Sequence, residues 1–332
     1  MSFTWKKESS DTYERYDLSE MDGDSRITGI SVYPGMGFKC AGFSFGGESY
    51  APDEDHWSPY LRGMISFGSP VMFPTPNRVR DNTFVFQGQK VQMQKDGKPH
   101  AQHGILYDAA IECETPEIFE DHIAIRGYVR MREGDELYEI FPYENDLVLE
   151  YQLYHDALEF SYKVTNRGRK DMPFGIGLHT AFTAKKTADR VLLDLRTDRM
   201  YETTADLLPT GKLIKLEPAD PFYAADGANI DGLKLDTAYL TEGGDMYITY
   251  PDRAAEIRIT TSEDFGIAVV YTPSSMGLIP EAPEKLFFVE SQTSATDAIN
   301  LYESGSKISG LQILKSEEQA SGYIRYAWSK EA

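Results

Sequence analysis

From Ile123 to Arg132 the odd positions are apolar or glycine, while Arg126, Arg130 and Arg132 lie opposite. A two-residue period sends successive side chains to opposite faces of an extended backbone, so this segment predicts a half-buried strand. Leu147, Leu149, Tyr151 and Leu153 repeat the pattern. After His155-Asp156 it resumes as Leu158, Phe160, Tyr162 and Val164, the signature of a hairpin, and Asn166-Arg167-Gly168 then turns the chain. Further strands are predicted at 83–86, 190–195, 246–250, 255–260, 266–271, 286–289 and 323–328. Helical signals are short, at 203–208 and 294–300, and neither sustains an amphipathic stripe.

Many short strands with turn residues between them predict an all-β fold, a large antiparallel sandwich or barrel. The 27 glycines and 17 prolines are spread along the 332 residues rather than pooled in a linker, so one domain over 1–332 is expected. Three loops have unusual composition, 51–63 (with Asp53, Glu54, Asp55, His56, Trp57 and Tyr60), 69–81 and 272–285. Loops of this kind carry function on a rigid scaffold.

Lys plus Arg is 33 and Asp plus Glu is 53, which gives a net charge of −20. Nucleic acid and anionic membranes need basic patches, so neither is an expected partner. A small neutral ligand fits better. Cys40 and Cys113 form neither a disulfide framework nor a zinc spacing. The first residues lack the apolar core of a signal peptide, and no apolar run is long enough to span a membrane. A cytoplasmic protein is expected, as a monomer or homodimer.

Glu290 stands out in this acidic chain. It closes the apolar run Leu286-Phe287-Phe288-Val289 and opens Ser291-Gln292-Thr293-Ser294, with no Lys or Arg until Lys307. Burial raises a carboxylate's pKa, and a carboxylate tuned toward working pH can act as a general base. Of the six histidines, His122 and His155 are expected to be solvated, His100 lies beside Lys98-Pro99, and His56 sits among carboxylates. His103 precedes Gly104, and His179 lies in the glycine-rich stretch Phe174-Gly175-Ile176-Gly177-Leu178 that runs into Thr180-Ala181-Phe182. Glycine inside a strand marks close approach of a ligand or another backbone. The histidines show no metal-ligand spacing, so no metal is expected. Gly42-Phe43-Ser44-Phe45-Gly46 has the letters of a nucleophile elbow, but it lies in an alternating, strand-like stretch without the elbow's strand–turn–helix context. Phosphate-cradling loops and dinucleotide fingerprints are missing, so no cofactor is expected. A His and Glu acid–base set remains.

Ordered blocks along the chain resemble the aldose 1-epimerases, or galactose mutarotases. They are Pro76-Asn77-Arg78-Val79 before Phe84-Val85-Phe86-Gln87-Gly88, then Gln102-His103-Gly104, Val164-Thr165-Asn166, and Leu178-His179-Thr180-Ala181-Phe182. Leu208-Pro209-Thr210-Gly211, Leu235-Asp236, and Val289-Glu290-Ser291-Gln292 with Asp297-Ala298-Ile299-Asn300 follow. Thr180-Ala181 departs from the family's Pro-Tyr, and Ser291 stands where Pro is frequent.

The resemblance implies a galactose mutarotase-like β-supersandwich that interconverts the α and β anomers of a free sugar. It implies that Glu290 takes the anomeric hydroxyl proton, that His179 protonates the ring oxygen, and that Arg78, His103 and Asp236 hold the sugar. Two alternatives stay open. A hexose-6-phosphate 1-epimerase would use Arg78 and Arg80, which an extended backbone aims at one face. A non-catalytic carbohydrate-binding protein would use the scaffold without the acid–base pair. The abundant tyrosines also leave open a lyase or hydrolase on a related sandwich.

Overall fold

The computed structural model describes residues 1–9, 13–52, 68–185, 189–223, 227–273 and 284–330. Most of the 51–63 loop, including Asp53, Glu54, Asp55, His56, Trp57 and Tyr60, and most of the 272–285 loop lie outside the described residues.

The alternating segments form the strands His122–Met131, Asn145–Tyr154 and Ala157–Asn166, which pair antiparallel in sequence order. Every second residue of Asn145–Tyr154 is buried and the others are half-exposed, as a sheet with one wet face requires. Gln319–Lys330 joins this hairpin edge, Ala255–Thr261, Met246–Tyr250 and Leu192–Asp194 follow, and the short strands Glu112–Cys113, Glu117–Ile118 and Ala228–Asn229 complete a sheet of ten.

An eight-stranded sheet packs against it. Along its path run Pro209–Lys215, Arg199–Thr203, Asp236–Leu240, Ile267–Tyr271, Glu284–Gln292, Gly177–Leu178 and Val71–Met72. A five-stranded sheet is built from residues 2–49. The three sheets meet where Phe182 of the eight-stranded sheet contacts Phe43 of the five-stranded sheet at 5.5 Å and Tyr326 of the ten-stranded sheet at 6.0 Å. All three rings are buried, and burying each Phe contributes about 1.5–3 kcal/mol. The architecture is the expected all-β supersandwich of antiparallel sheets.

Two local expectations are corrected. Residues 203–208 form no helix: the strand Arg199–Thr203 ends in a turn with Leu207 at φ +60°, and Pro209 opens the next strand. Proline disfavours helical backbone at the residue before it, here Leu208. The helix expected at 294–300 is instead Ala298–Glu303, because Asp297, at φ +58°, is left-handed and delays its start. His122 is also less solvated than expected, since it stacks between Phe119 (4.4 Å) and Tyr154 (4.9 Å). His155 is more than half exposed and lies 2.7 Å from Glu20. Ser44 of the elbow-like Gly-x-Ser-x-Gly sits within the strand Lys39–Phe45, with no helix after it. The two cysteines are free thiols, Cys40 buried and Cys113 half-buried.

Candidate functional site

The strand Glu284–Gln292 is buried over its last seven residues. Two short strands pair with the same edge of it. Gly177–Leu178 lies opposite Gln292 and Ser291, and Ala181–Lys185 runs opposite Phe288 back to Glu284. Both pieces keep one register, so the residue that falls opposite Glu290 in the gap between them is His179. Directly opposed residues of an antiparallel pair share a face and approach within about 4.5–5.5 Å at Cβ. The His179 Nε2 accordingly lies 3.2 Å from Glu290 Oε1. Gly177 permits this approach, because a Cβ there would stand 2.7 Å from the Ser291 carbonyl oxygen.

The register extends the site sideways. Phe288 opposes Tyr271, and Tyr271 opposes Asp236 across the next strand. Residues 288, 290 and 292 share one face by the two-residue period, so Asp236, Tyr271, Phe288, Glu290, Gln292 and His179 line a common surface. The Phe288 ring lies 4.6 Å from the His179 ring and stacks on Tyr271 at 5.5 Å, forming an aromatic wall. Gln292 donates through Nε2 to Glu290 Oε2 at 2.9 Å.

His103 arrives from a loop. It adopts φ +59° and donates its backbone N–H to the Asn77 carbonyl oxygen at 2.6 Å. Gly104, at φ +78°, follows it, and a Cβ there would meet the Phe73 carbonyl oxygen at 2.1 Å. Only glycine fits that position. The His103 ring sits edge-on to His179 at 4.7 Å, with Nδ1 at 3.1 Å from Met72 Sδ. Arg78 reaches Asp236 at 3.8 Å and donates to Asn77 Oδ1 at 3.1 Å. Arg78 and Asp236 are each about one-third exposed, whereas His103, His179 and Glu290 are buried. The five residues singled out in the sequence therefore come together, with a buried His–His–Glu floor under an Arg–Asp rim.

Arg80 does not join Arg78 on that rim. Its guanidinium turns to Asp297 at 3.4 Å, and its backbone N–H donates to the same carboxylate at 3.0 Å. Sequence reasoning missed Met72, Tyr271, Phe288 and Gln292 as members of the site. For Phe288 and Gln292 the signal was present, because each is two positions from Glu290 on one strand.

Electrostatics set the state of the pair. Burial pushes the Glu290 carboxyl up to about 8, the Asp236 charge adds to this, and the Gln292 hydrogen bond and Arg78 oppose it. Burial pushes His179 down to about 4, and the Lys39 charge adds to that depression. His103 is held well below its ordinary range, first by burial and then by His179 and Arg78. Burial thus favours the neutral form of both groups, a protonated carboxyl and a neutral imidazole, so the pair shares a single proton over the middle of the pH range.

A family model described as aldose 1-epimerase matches residues 50–327. The uncharacterized protein YihR of Escherichia coli (strain K12) is 23% identical over 199 residues, which cover 58% of this chain and 61% of that protein. The chain thus spans less than two thirds of that relative. A galactose mutarotase-like protein from Clostridium acetobutylicum shares the fold at a TM-score of 0.82 and 18% identity, over 99% of both chains. The galactose 1-epimerase of Lactobacillus acidophilus NCFM matches at 0.74 and 16%, over 100% of both. At such identities the structures speak for the fold alone, which is galactose mutarotase-like. The family match does more, since it takes in Arg78, His103, His179, Asp236 and Glu290 together and covers most of the sequence: this chain belongs to the aldose 1-epimerase family.

Proposed function

We propose that this protein is an aldose 1-epimerase, a mutarotase that interconverts the α and β anomers of a free sugar by proton transfers at His179 and Glu290. The observation that carries the reading is the 3.2 Å contact between two buried, oppositely tuned groups. Mutarotation needs one group to take a proton from the anomeric hydroxyl while another gives one to the ring oxygen. A buried pair sharing one proton does both.

The cycle balances on that proton. Its shift from Glu290 to His179 across the contact readies the carboxylate as base. Glu290 then takes the O1 proton, the C1–O1 bond becomes a carbonyl, and the ring C1–O5 bond breaks as His179 protonates O5. Rotation about C1–C2 presents the other face of the aldehyde. On closure His179 takes the O5 proton back, Glu290 protonates the carbonyl oxygen, and the pair is restored. Arg78 donates to sugar oxygens, Asp236 accepts from hydroxyls, and His103 positions the substrate from the floor. The aromatic pair Tyr271 and Phe288 offers a flat apolar wall for one face of the ring.

The geometry disfavours a phosphorylated substrate. Arg78 has Asp236 within 3.8 Å, and Arg80 is engaged by Asp297, so among the described residues these two arginines do not present a pair of uncommitted guanidiniums to the site. Polarimetry on freshly dissolved α-glucose, α-galactose and α-glucose-6-phosphate tests the proposal. Acceleration with the free sugars, lost in His179→Ala and Glu290→Gln, is expected. Equal rates in the variants and the unmodified protein would sink it. Sugar binding without acceleration would instead support a carbohydrate-binding protein.

A further inference from the structure

The His103–His179–Glu290 floor has a donor set that proton transfer alone does not require. Two imidazoles and one carboxylate, all buried, bring one ligand atom each to within 4.8 Å of one another. Two nitrogens and one oxygen are the protein ligands of many three-residue zinc sites, with the fourth position left for water or substrate. The set is far from the all-oxygen cage that calcium or magnesium requires.

The surroundings hold these donors in place. His103 is fixed through its backbone bond to Asn77 and by Met72 Sδ at Nδ1. Glu290 keeps one oxygen on Gln292 and turns the other to His179. Zinc bonds of about 2.0–2.2 Å put ligand atoms roughly 3.4 Å apart, so from separations within 4.8 Å a central ion asks for a contraction of at most about 1.4 Å. The His179–Glu290 edge, at 3.2 Å, already has that spacing.

We propose that His103, His179 and Glu290 bind one borderline-soft divalent cation of the zinc class, and that the bound ion shuts the acid–base site. A coordinated imidazole has given its one free lone pair to the metal, and a coordinated carboxylate loses most of its basicity to the cation's charge, so neither serves as base for a sugar proton. The ion also occupies the place where the anomeric centre would sit. Zinc is therefore an inhibitor that competes with sugar, and a chelator restores activity. The competition rests on the epimerase reading, whereas ion binding does not.

Isothermal titration of the full chain with zinc chloride, without sugar, tests the site. One ion per chain is expected, at a Kd of about 10 µM or tighter. His103→Ala, His179→Ala and Glu290→Gln should each weaken binding by more than about tenfold, the loss that removing even an outer-shell partner of a ligand brings. Magnesium and calcium should give no comparable heat. His122 with Asp121 and His155 with Glu20 are His–carboxylate pairs away from the floor that collect zinc adventitiously if any do, so the double variant His122→Ala/His155→Ala should bind as the unmodified protein does. Thermal melts of each variant establish that it is folded.

The proposal is overturned if the surface double variant abolishes the site, if the three floor variants bind zinc normally, or if zinc accelerates mutarotation. Absence of zinc binding with intact mutarotation removes this inference and leaves the proposed function standing. Binding at the floor in a protein that does not mutarotate does the reverse.

Discussion

Two buried carboxylates in this molecule have opposite fates. Asp189 meets Arg253, whose Nε donates to Asp189 Oδ2 at 2.9 Å and whose Nη2 donates to the same oxygen. The Lys185 backbone N–H adds a bond at 2.7 Å. Arg253 is itself sandwiched, 5.0 Å from the Tyr50 ring and 5.1 Å from the Tyr250 ring, and it donates to the Ser49 carbonyl oxygen. Burial works to raise the Asp189 carboxyl, but these partners hold it below its ordinary value. Glu290, by contrast, has one amide donor and a neutral imidazole, and its carboxyl rises to about 8. Nearby Ser291 Oγ, Gln292 Oε1 and Ser294 Oγ are buried without hydrogen-bond partners among the described residues. Full satisfaction marks a structural charge, and incomplete satisfaction marks a site that keeps its bonding capacity for something else.

Replacing each carboxylate by its amide breaks the comparison open. Glu290→Gln should lower the mutarotation rate by about 10²–10⁴-fold, the usual worth of a general acid–base group, as read by polarimetry. The same change should leave the protein folded. Asp189→Asn should behave in the opposite way: about 3–5 kcal/mol of stability is lost because Arg253 stays buried without its charge partner. Denaturant unfolding reads that loss, and folded Asp189→Asn should still turn over sugar.

The pH dependences differ in sign as well. The folded protein keeps the Glu290 proton that the unfolded chain loses above about 4.5, so this group costs stability as pH rises from 4.5 to about 8. His179 acts the other way, adding stability as pH rises from about 4 to 6.5, where the unfolded chain binds the proton and the folded one does not. The Asp189 contribution is present above its ordinary 3.8 and lost as pH falls through the depressed value. Glu290→Gln should therefore melt higher than the unmodified protein at pH 9, by about 2 °C or more, with the gap shrinking toward pH 5. Equal melting curves at pH 9 would contradict the raised carboxyl. Activity should be bell-shaped, falling below about pH 4 and above about pH 8, where the pair is doubly protonated or bare. The smallest effect belongs to Gln292→Leu. Removing the hydrogen bond that stabilises the Glu290 carboxylate should move the basic limb upward, with a modest change in maximal rate.

Legibility in the sequence followed the wet faces. Asn145–Tyr154 and Ala157–Asn166 were readable because one face meets solvent and the period of two survives. The five-stranded sheet was not read as strands apart from the stretch around Phe43. Its pairing shifts register at Glu20/Met21 and again at Gly29/Ser31, and each shift throws the alternation out of phase. Glu284–Gln292 is buried on both faces near its end, so it read as a short apolar run over 286–289 and its polar end was not read as strand. Glu290 itself was found because a lone carboxylate after such a run has no local cation. Its juxtaposition with His179 rests on pairing across more than a hundred residues, which local periodicity does not encode. The resemblance of ordered blocks supplied that link. Arg78 and Arg80 show the limit of local reading: the backbone does not stay extended but enters a 3-10 turn at Arg80–Asn82, and the two side chains take different partners.

The clasp at Asp297 has a consequence for changing what the protein accepts. Asp297 donates its backbone N–H to the Arg78 carbonyl oxygen at 2.8 Å, while its side chain accepts from the Arg80 N–H and from Asn300. It lies seven residues beyond Glu290 on the continuation of the same chain segment. The rim arginine and the floor carboxylate are thus tethered to one stretch of backbone. A loop exchange confined to 74–82 would import a rim cut for a different anchor. Altering specificity in this scaffold calls for transplanting 74–82 and 290–300 together.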